Sequence, residues 1–246
     1  MRIAFSGTAN TGKSTLVRDF LSVWPMYKTP EVTYRDLIVE QKLAHSKSVG
    51  KEGQSKILDL MTGQLEENKA TENIVYDRCP IDNLIYSIWG NGKGIADLDD
   101  DFINKCFGIV RESIKNLDII FWVPFNRKIA IQQDFLRETD IEFIVEVDNI
   151  FKEIFAQYTY NPEFPISDPE NRPAFIQLTS TSRQERLVEI AQYVDLTGNS
   201  VAPDDSWVNE LTADEVDTSD EAKATLEALL KQQKEEAFKV DGTIVV

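Results

Sequence analysis

The sequence predicts a three-layer α/β fold on a five-stranded, mostly parallel sheet, followed by an acidic helical tail. Three observations carry that reading. Across residues 1–195, short β-branched and aromatic runs alternate with longer stretches of helical periodicity, as expected of repeated strand-helix units. A glycine-containing turn, from Gly7 to Gly12, separates the first apolar run from the first helical one. Beyond residue 196 the composition shifts abruptly toward Asp and Glu.

Taken in order, residues 3–6 form the first predicted strand, and Leu16, Val17, Phe20 and Leu21 then recur at helical spacing. Further strands are expected at residues 27–31, 74–77, 119–123 and 174–178. Two polar segments, residues 45–54 and 90–101, read as loops flanking a site. The tail, residues 196–246, holds 4 basic and 12 acidic residues and so carries −8, half of the net charge of −16. Within it, Thr218 and Glu221 have capping-box spacing, and Ala222, Leu226, Leu229, Leu230 and Ala237 form one helical stripe. One amphipathic helix is expected there, packing on the core, solubilising the chain or engaging a partner.

Composition narrows the function. The 246 residues amount to one large domain with an appendage, at about 150 residues per domain. No apolar run approaches the roughly 20 residues of a membrane-spanning helix, and the first residues carry no export signal, so a cytoplasmic protein is expected. Net charge of −16 opposes broad adhesion to polyanions. Cys79 and Cys106 lack metal-ligand spacing and are expected to be reduced.

The chemistry starts at Gly7-Thr8-Ala9-Asn10-Thr11-Gly12-Lys13-Ser14, which fits G-x-x-x-x-G-K-[ST] between a strand and a helix. The glycines let backbone amides curl round a phosphate, and the following helix presents its positive N-terminal end. Lys13 neutralises β/γ-phosphate oxygens, Ser14 offers a hydroxyl to Mg²⁺, and Thr15 completes the ATP-binding run from Gly7. A second signal is residues 74–78, where a β-branched run ends in Asp77-Arg78. A buried strand would deliver both to its C-terminal edge, where ligands bind in such sheets. Asp77 suits a metal or an acceptor proton, and Arg78 suits a phosphate or the transferring group.

On these residues the chain resembles P-loop nucleoside and nucleotide kinases: thymidylate kinases, deoxynucleoside kinases, and NadR-type ribosylnicotinamide kinases with their phage relatives. Thymidylate kinases end this strand in Asp-Arg before an aromatic-bearing helix, as do Asp77-Arg78 before Asp82, Tyr86 and Trp89. The NadR-like group has a Glu after its second strand and an Arg four residues later, as in Glu31 and Arg35. Residues 116–123, the helical stretch with Arg127 and Arg137, and residues 175–183 resemble the fourth strand, the arginine-bearing lid and the adenine-side loop of these kinases. The resemblance covers residues 1–195 and implies a P-loop NTPase fold of strand order 2-3-1-4-5, with a lid at residues 126–145. It further implies an ATP- and Mg²⁺-dependent phosphotransferase. In it Lys13, Asp77, Arg78, Arg137 and Glu31 are catalytic, Ser14 and Asp77 hold metal, and Glu31, Arg35, Tyr86, Trp89 and Arg127 bind the acceptor.

Some features depart from the family pattern. The fourth strand runs into Pro124-Phe125-Asn126 without the second Asp of thymidylate kinases, and Cys79-Pro80 replaces the usual aromatic. No strand ends in Asp-Glu, which argues against an AAA-type motor. His45 and the run Asp99-Asp100-Asp101 read as solvated, and Trp24 and Trp122 as core. The expected partner is a small-molecule nucleoside or nucleotide, with no membrane; a second copy of the chain stays open as a homodimer. Two other functions are carried beside the kinase: action on a base or end within a polynucleotide, hinted at by Lys47, Lys51 and Lys56, and nucleotide sensing without catalysis.

Overall fold

The computed structural model describes residues 1–43, 46–95, 97–126, 139–168 and 170–201. In chain order it contains β1 (Arg2–Ser6), α1 (Lys13–Val23), α2 (Tyr34–Gln41), α3 (Lys51–Glu67), β2 (Ile74–Asp77), α4 (Pro80–Gly92), α5 (Asp100–Ile114), β3 (Ile119–Trp122), α6 (Ile141–Tyr160), β4 (Ala174–Gln177) and α7 (Arg183–Ile190). The four strands pair in parallel in the order β2-β1-β3-β4. Parallel pairing forces a crossover after each strand, so helices cover both faces.

Alternate strand residues therefore face two separate cores. Ile3, Phe5, Val75, Ile119 and Phe121 pack against α1 and α7 with Leu16, Phe20, Trp24 and Ile190. Ala4, Tyr76, Ile120 and Trp122 pack on the other side with residues of α3 to α6, among them Leu58, Leu84, Val110 and Phe151. Trp24 and Trp122 are buried, as core residues should be.

The sheet has four strands among the described residues, where five are expected. The segment predicted as the second strand is reduced to one parallel bridge, Lys28 to Ile74, beside β2. Lys28 donates to the Asn73 carbonyl at 2.8 Å and accepts from the Val75 amide at 2.8 Å. Pro30 then ends the pairing, because it has no amide hydrogen and disfavours further ladder bonds. The bridge nevertheless occupies the edge that the predicted order assigns to this segment.

Both predicted polar loops are also shorter than expected. Helix α3 begins at Lys51, since the Asp97 carboxylate accepts its amide at 3.0 Å and Gly50 gives an extended start. The second segment is absorbed at both ends, by α4 through Gly92 and by α5 from Asp100. Asp99 caps α5 by accepting the Phe102 amide, so one of the run of aspartates has a structural role. Most of the predicted lid (residues 127–138), His45 and the predicted tail helix lie outside the described residues. The chain after α7 stays on the core as far as Val201, with the Tyr27 hydroxyl donating to the Gly198 carbonyl at 2.7 Å.

Phe20 sits where α1 meets the sheet, with ring centroids 5.7 Å from Phe5, 4.6 Å from Trp24 and 4.9 Å from Tyr27. Phe20→Ala is expected to cost about 3–5 kcal/mol of stability, read as a lower denaturant midpoint at unchanged slope.

Candidate functional site

The turn after β1 takes its shape from three residues in left-handed conformations, Gly7 (φ 143°), Asn10 (φ 56°) and Gly12 (φ 87°). Gly7 is required twice over. Besides its φ, a Cβ there would lie 2.5 Å from the Val123 carbonyl oxygen. Gly12 is the N-cap of α1, placing the open amides of the helix beside a hollow lined by residues 9–15 with Tyr34, Arg35 and Arg78. Thr8 is buried below this hollow, its hydroxyl donating to the Ile144 carbonyl of α6 at 3.2 Å.

Lys13 is 5% exposed, and its ammonium donates to the Thr8 carbonyl and, at 3.2 Å, to the Thr11 hydroxyl. Burial, reinforced by the Arg78 charge, holds the Lys13 ammonium well below its ordinary value. The Ser14 hydroxyl donates to Asp77 at 2.5 Å, joining the start of α1 to the end of β2. That oxygen pair is a hard donor set suited to Mg²⁺, which takes one or two protein oxygens and fills its shell with water and phosphate.

Directly after Asp77 the backbone turns at Arg78, which has φ 86° although it is not a glycine. Such a conformation is maintained only when surrounding bonds over-determine it. Here Asp82, 1% exposed, supplies them. Its Oδ1 accepts from Arg78 Nη1 at 2.8 Å and the Gly7 amide at 3.1 Å; its Oδ2 accepts from the Ser6 hydroxyl at 2.6 Å and the Cys79 amide at 3.1 Å. Arg78 also donates to the Gly7 carbonyl at 3.1 Å and lies between two rings, with centroids 5.1 Å away at Tyr34 and 5.3 Å away at Tyr86. Burial alone would lower the Arg78 pKa, but Tyr34, Tyr86 and Asp82 outweigh it and hold the guanidinium above its ordinary value.

Beyond Arg78 a second cavity opens. Ile38, Val49, Ile57, Met61 and Phe143 form apolar walls, and Gln54 and Asn83 supply buried amides. Asn83 donates to the Gln54 backbone and side-chain oxygens at 3.0 and 2.8 Å, and its Oδ1 has no partner among the described residues. The two hollows share Ala9, Tyr34, Arg35 and Arg78 along their seam.

Of the predicted site residues, the structure thus gathers Ala9 to Thr15, Arg35, Arg78 and Tyr86 around adjoining cavities, with Asp77 hydrogen-bonded to Ser14. Trp89 lines neither cavity; its indole donates to Glu146 at 2.8 Å and packs edge-on against Phe143. Glu31 is exposed on the segment before α2 and also lines neither. Arg127 and Arg137 lie outside the described residues. Sequence reasoning missed Tyr34, Gln54, Asn83 and the hub role of Asp82. Only Asp82 carried a local signal, since Cys79-Pro80-Ile81-Asp82 has capping-box spacing with proline at the first helical position.

Residues 2–167 match the family model described as the AAA domain. The chain belongs to the AAA domain family. Comparison with curated sequences finds no match. Among solved structures, deoxyadenosine kinase from M. mycoides with the products dCMP and a flexible dCDP bound is 20% identical, with TM-score 0.58 over 78% of this chain and 97% of that one. The same kinase with bound dATP gives 20% identity and TM-score 0.56 over 78% and 98%. Thymidylate kinase from Candida albicans is 14% identical, with TM-score 0.51 over 78% and 90%. The fold is accordingly that of the P-loop nucleoside and nucleotide kinases.

Two outcomes test the site. Asp82→Asn leaves the Arg78 charge buried without its carboxylate and is expected to cost about 3–5 kcal/mol in denaturant unfolding. Lys13→Met should change the pH dependence of stability. Between the depressed native pKa of Lys13 and its ordinary value of 10.5, the unfolded chain binds the extra proton, so the ligand-free native protein loses stability as pH falls through that window. Comparing unfolding free energies across pH, Lys13→Met should lack this loss.

Proposed function

We propose that the chain is an ATP- and Mg²⁺-dependent phosphotransferase whose acceptor is a nucleoside or nucleoside monophosphate. The observation that carries this reading is the shared seam: a phosphate hollow and an apolar, amide-bearing cavity meet at Ala9, Tyr34, Arg35 and Arg78. Phosphoryl transfer needs positioning and charge more than covalent chemistry, so two adjoining sites with cations between them suit it.

In this reading the amides of residues 9–15 and Lys13 hold the triphosphate. Ser14 and Asp77 hold magnesium, which when bound neutralises charge on the β- and γ-phosphate oxygens. Arg78, fixed by Asp82, and Arg35, beside Tyr34 with its Nε 3.1 Å from the Tyr34 hydroxyl, flank the transferring group. The apolar walls enclose a base, with Tyr86 and Phe143 as its aromatic neighbours. Asn83 Oδ1, a buried acceptor without a partner among the described residues, favours a base that presents a hydrogen-bond donor. Glu31 is assigned to the acceptor side, and Arg127 and Arg137 to the lid, on the family resemblance alone.

A small-molecule acceptor is favoured over a polynucleotide by the lysines that hinted at the latter. Lys47 pairs with Asp140, Lys51 with Asp99 at 3.3 Å and Lys56 with Glu52 at 2.7 Å, so each already faces a carboxylate.

The test is label transfer from γ-labelled ATP, with magnesium, to a panel of nucleosides, deoxynucleoside monophosphates and nicotinamide riboside. At least one acceptor should be labelled, and Lys13→Ala should abolish labelling. Arg35→Gln should lower kcat/KM by about 10–100-fold while shifting stability by less than about 0.5 kcal/mol. ATP binding with no labelled acceptor would instead favour a nucleotide-sensing module.

A further inference from the structure

One buried cation near the phosphate hollow has no place in the mechanism above. Arg186, on α7, is 5% exposed. Its Nη1 donates to the Thr11 carbonyl at 2.9 Å and its Nε to the Ser180 carbonyl at 3.0 Å. Glu189, the acidic group acting on it electrostatically, is itself taken up by the Thr179 amide at 2.7 Å, the Thr179 hydroxyl at 2.9 Å and the Ser180 amide at 3.1 Å. The Arg186 charge is thus spent on two carbonyls rather than on a carboxylate among the described residues. A purely structural tie between two loops has no need of a buried cation, whose desolvation is costly when it meets only neutral acceptors.

The position of that charge is tightly set. Helix α7 is clamped to α1 by Arg183, whose guanidinium meets both oxygens of Asp19 at 2.8 and 2.5 Å. Arg186 approaches the phosphate loop so closely that a Cβ on Gly12 would stand 3.3 Å from its Nη1. The carbonyl it contacts belongs to the peptide joining Thr11 to Gly12. That peptide is trans, so its carbonyl and amide point in opposite directions. With the carbonyl turned to α7, the Gly12 amide turns to the other side of the loop, and Gly12 lines the phosphate hollow.

We propose that Arg186 is a positioning residue for phosphate binding. Its guanidinium polarises the Thr11–Gly12 peptide from behind, making the Gly12 amide a stronger donor to a phosphate oxygen, and it adds a fixed positive charge behind the loop. It also ties the 179–182 loop to the phosphate loop, so that the two move as one unit. The assignment rests on the triphosphate-binding reading of residues 7–14 and adds to it a residue that never touches the ligand.

Two ligands separate the roles: ATP, and inorganic tripolyphosphate, which carries the phosphates without a base. Their affinities for wild type, Arg186→Gln and Arg186→Lys are measured by calorimetry with magnesium, alongside thermal melts. Arg186→Gln should weaken both ligands by about tenfold, the scale of one charge-assisted hydrogen bond, and Arg186→Lys should recover part of the loss by restoring charge. If Arg186→Gln does not fold, Arg186→Lys should still bind tripolyphosphate several-fold more weakly than wild type, because one ammonium cannot span both carbonyls. Tripolyphosphate affinity equal to wild type in a folded variant, whether or not ATP weakens or the melting temperature drops, would overturn the assignment. Wild-type protein that binds neither ligand would refute the triphosphate reading itself, and this assignment with it.

Discussion

The site depends on one buried carboxylate. Asp82 accepts hydrogen bonds from Ser6 at the end of β1, Gly7 at the mouth of the phosphate loop, Arg78 at the end of β2 and Cys79 at the start of α4. One carboxyl group can satisfy all four only if these groups converge on it, and it is buried enough that leaving one unmade is costly. That requirement fixes the phosphate loop relative to the Asp77-Arg78 turn. It also sustains the left-handed backbone of Arg78, so its guanidinium stands between Tyr34 and Tyr86 rather than in solvent. The seam between the two cavities follows from this one convergence.

The same economy of charge suits an acidic chain to the proposed triphosphate site. A net charge of −16 would repel a triphosphate if it were spread evenly. Around the phosphate hollow, Lys13, Arg35, Arg78 and Arg186 are gathered instead. Buried Asp82 pairs with Arg78 and also acts on Lys13, and Asp77 is hydrogen-bonded to Ser14. Burial disfavours the Lys13 ammonium in the ligand-free protein, and the triphosphate of the proposed reaction would offset that cost. By contrast, surface lysines such as Lys47, Lys51, Lys56 and Lys93 each meet a carboxylate and give no net attraction.

How much of this was legible in the sequence depends on the range of the forces involved. The phosphate loop was legible because its glycines, lysine and serine act within eight consecutive residues. Four strands were legible because buried parallel strands must be apolar throughout, which leaves a mark without reference to anything distant. The fifth failed as a strand because Pro30 interrupts a pairing that the residues before it begin at Lys28. The start of α3 was missed because its cap, Asp97, comes from 46 residues downstream. Tyr34, Gln54, Asn83 and Arg186 were invisible for the same reason: each acts through a partner on another element. Only Asp82 carried a local mark, its spacing from Cys79, and that mark announced a helix start rather than a hub.

The proposed adjacency of a triphosphate site and an acceptor site at Arg35 and Arg78 is tested most directly by a bisubstrate ligand. Compounds joining adenosine to a nucleoside through four or five phosphates would occupy both cavities at once. Their affinities, measured by titration calorimetry, should exceed that of ATP by about 100-fold or more for a nucleoside that fits, because the second contact is made intramolecularly. Affinity no higher than that of ATP across the series of nucleosides and phosphate lengths would contradict the shared seam.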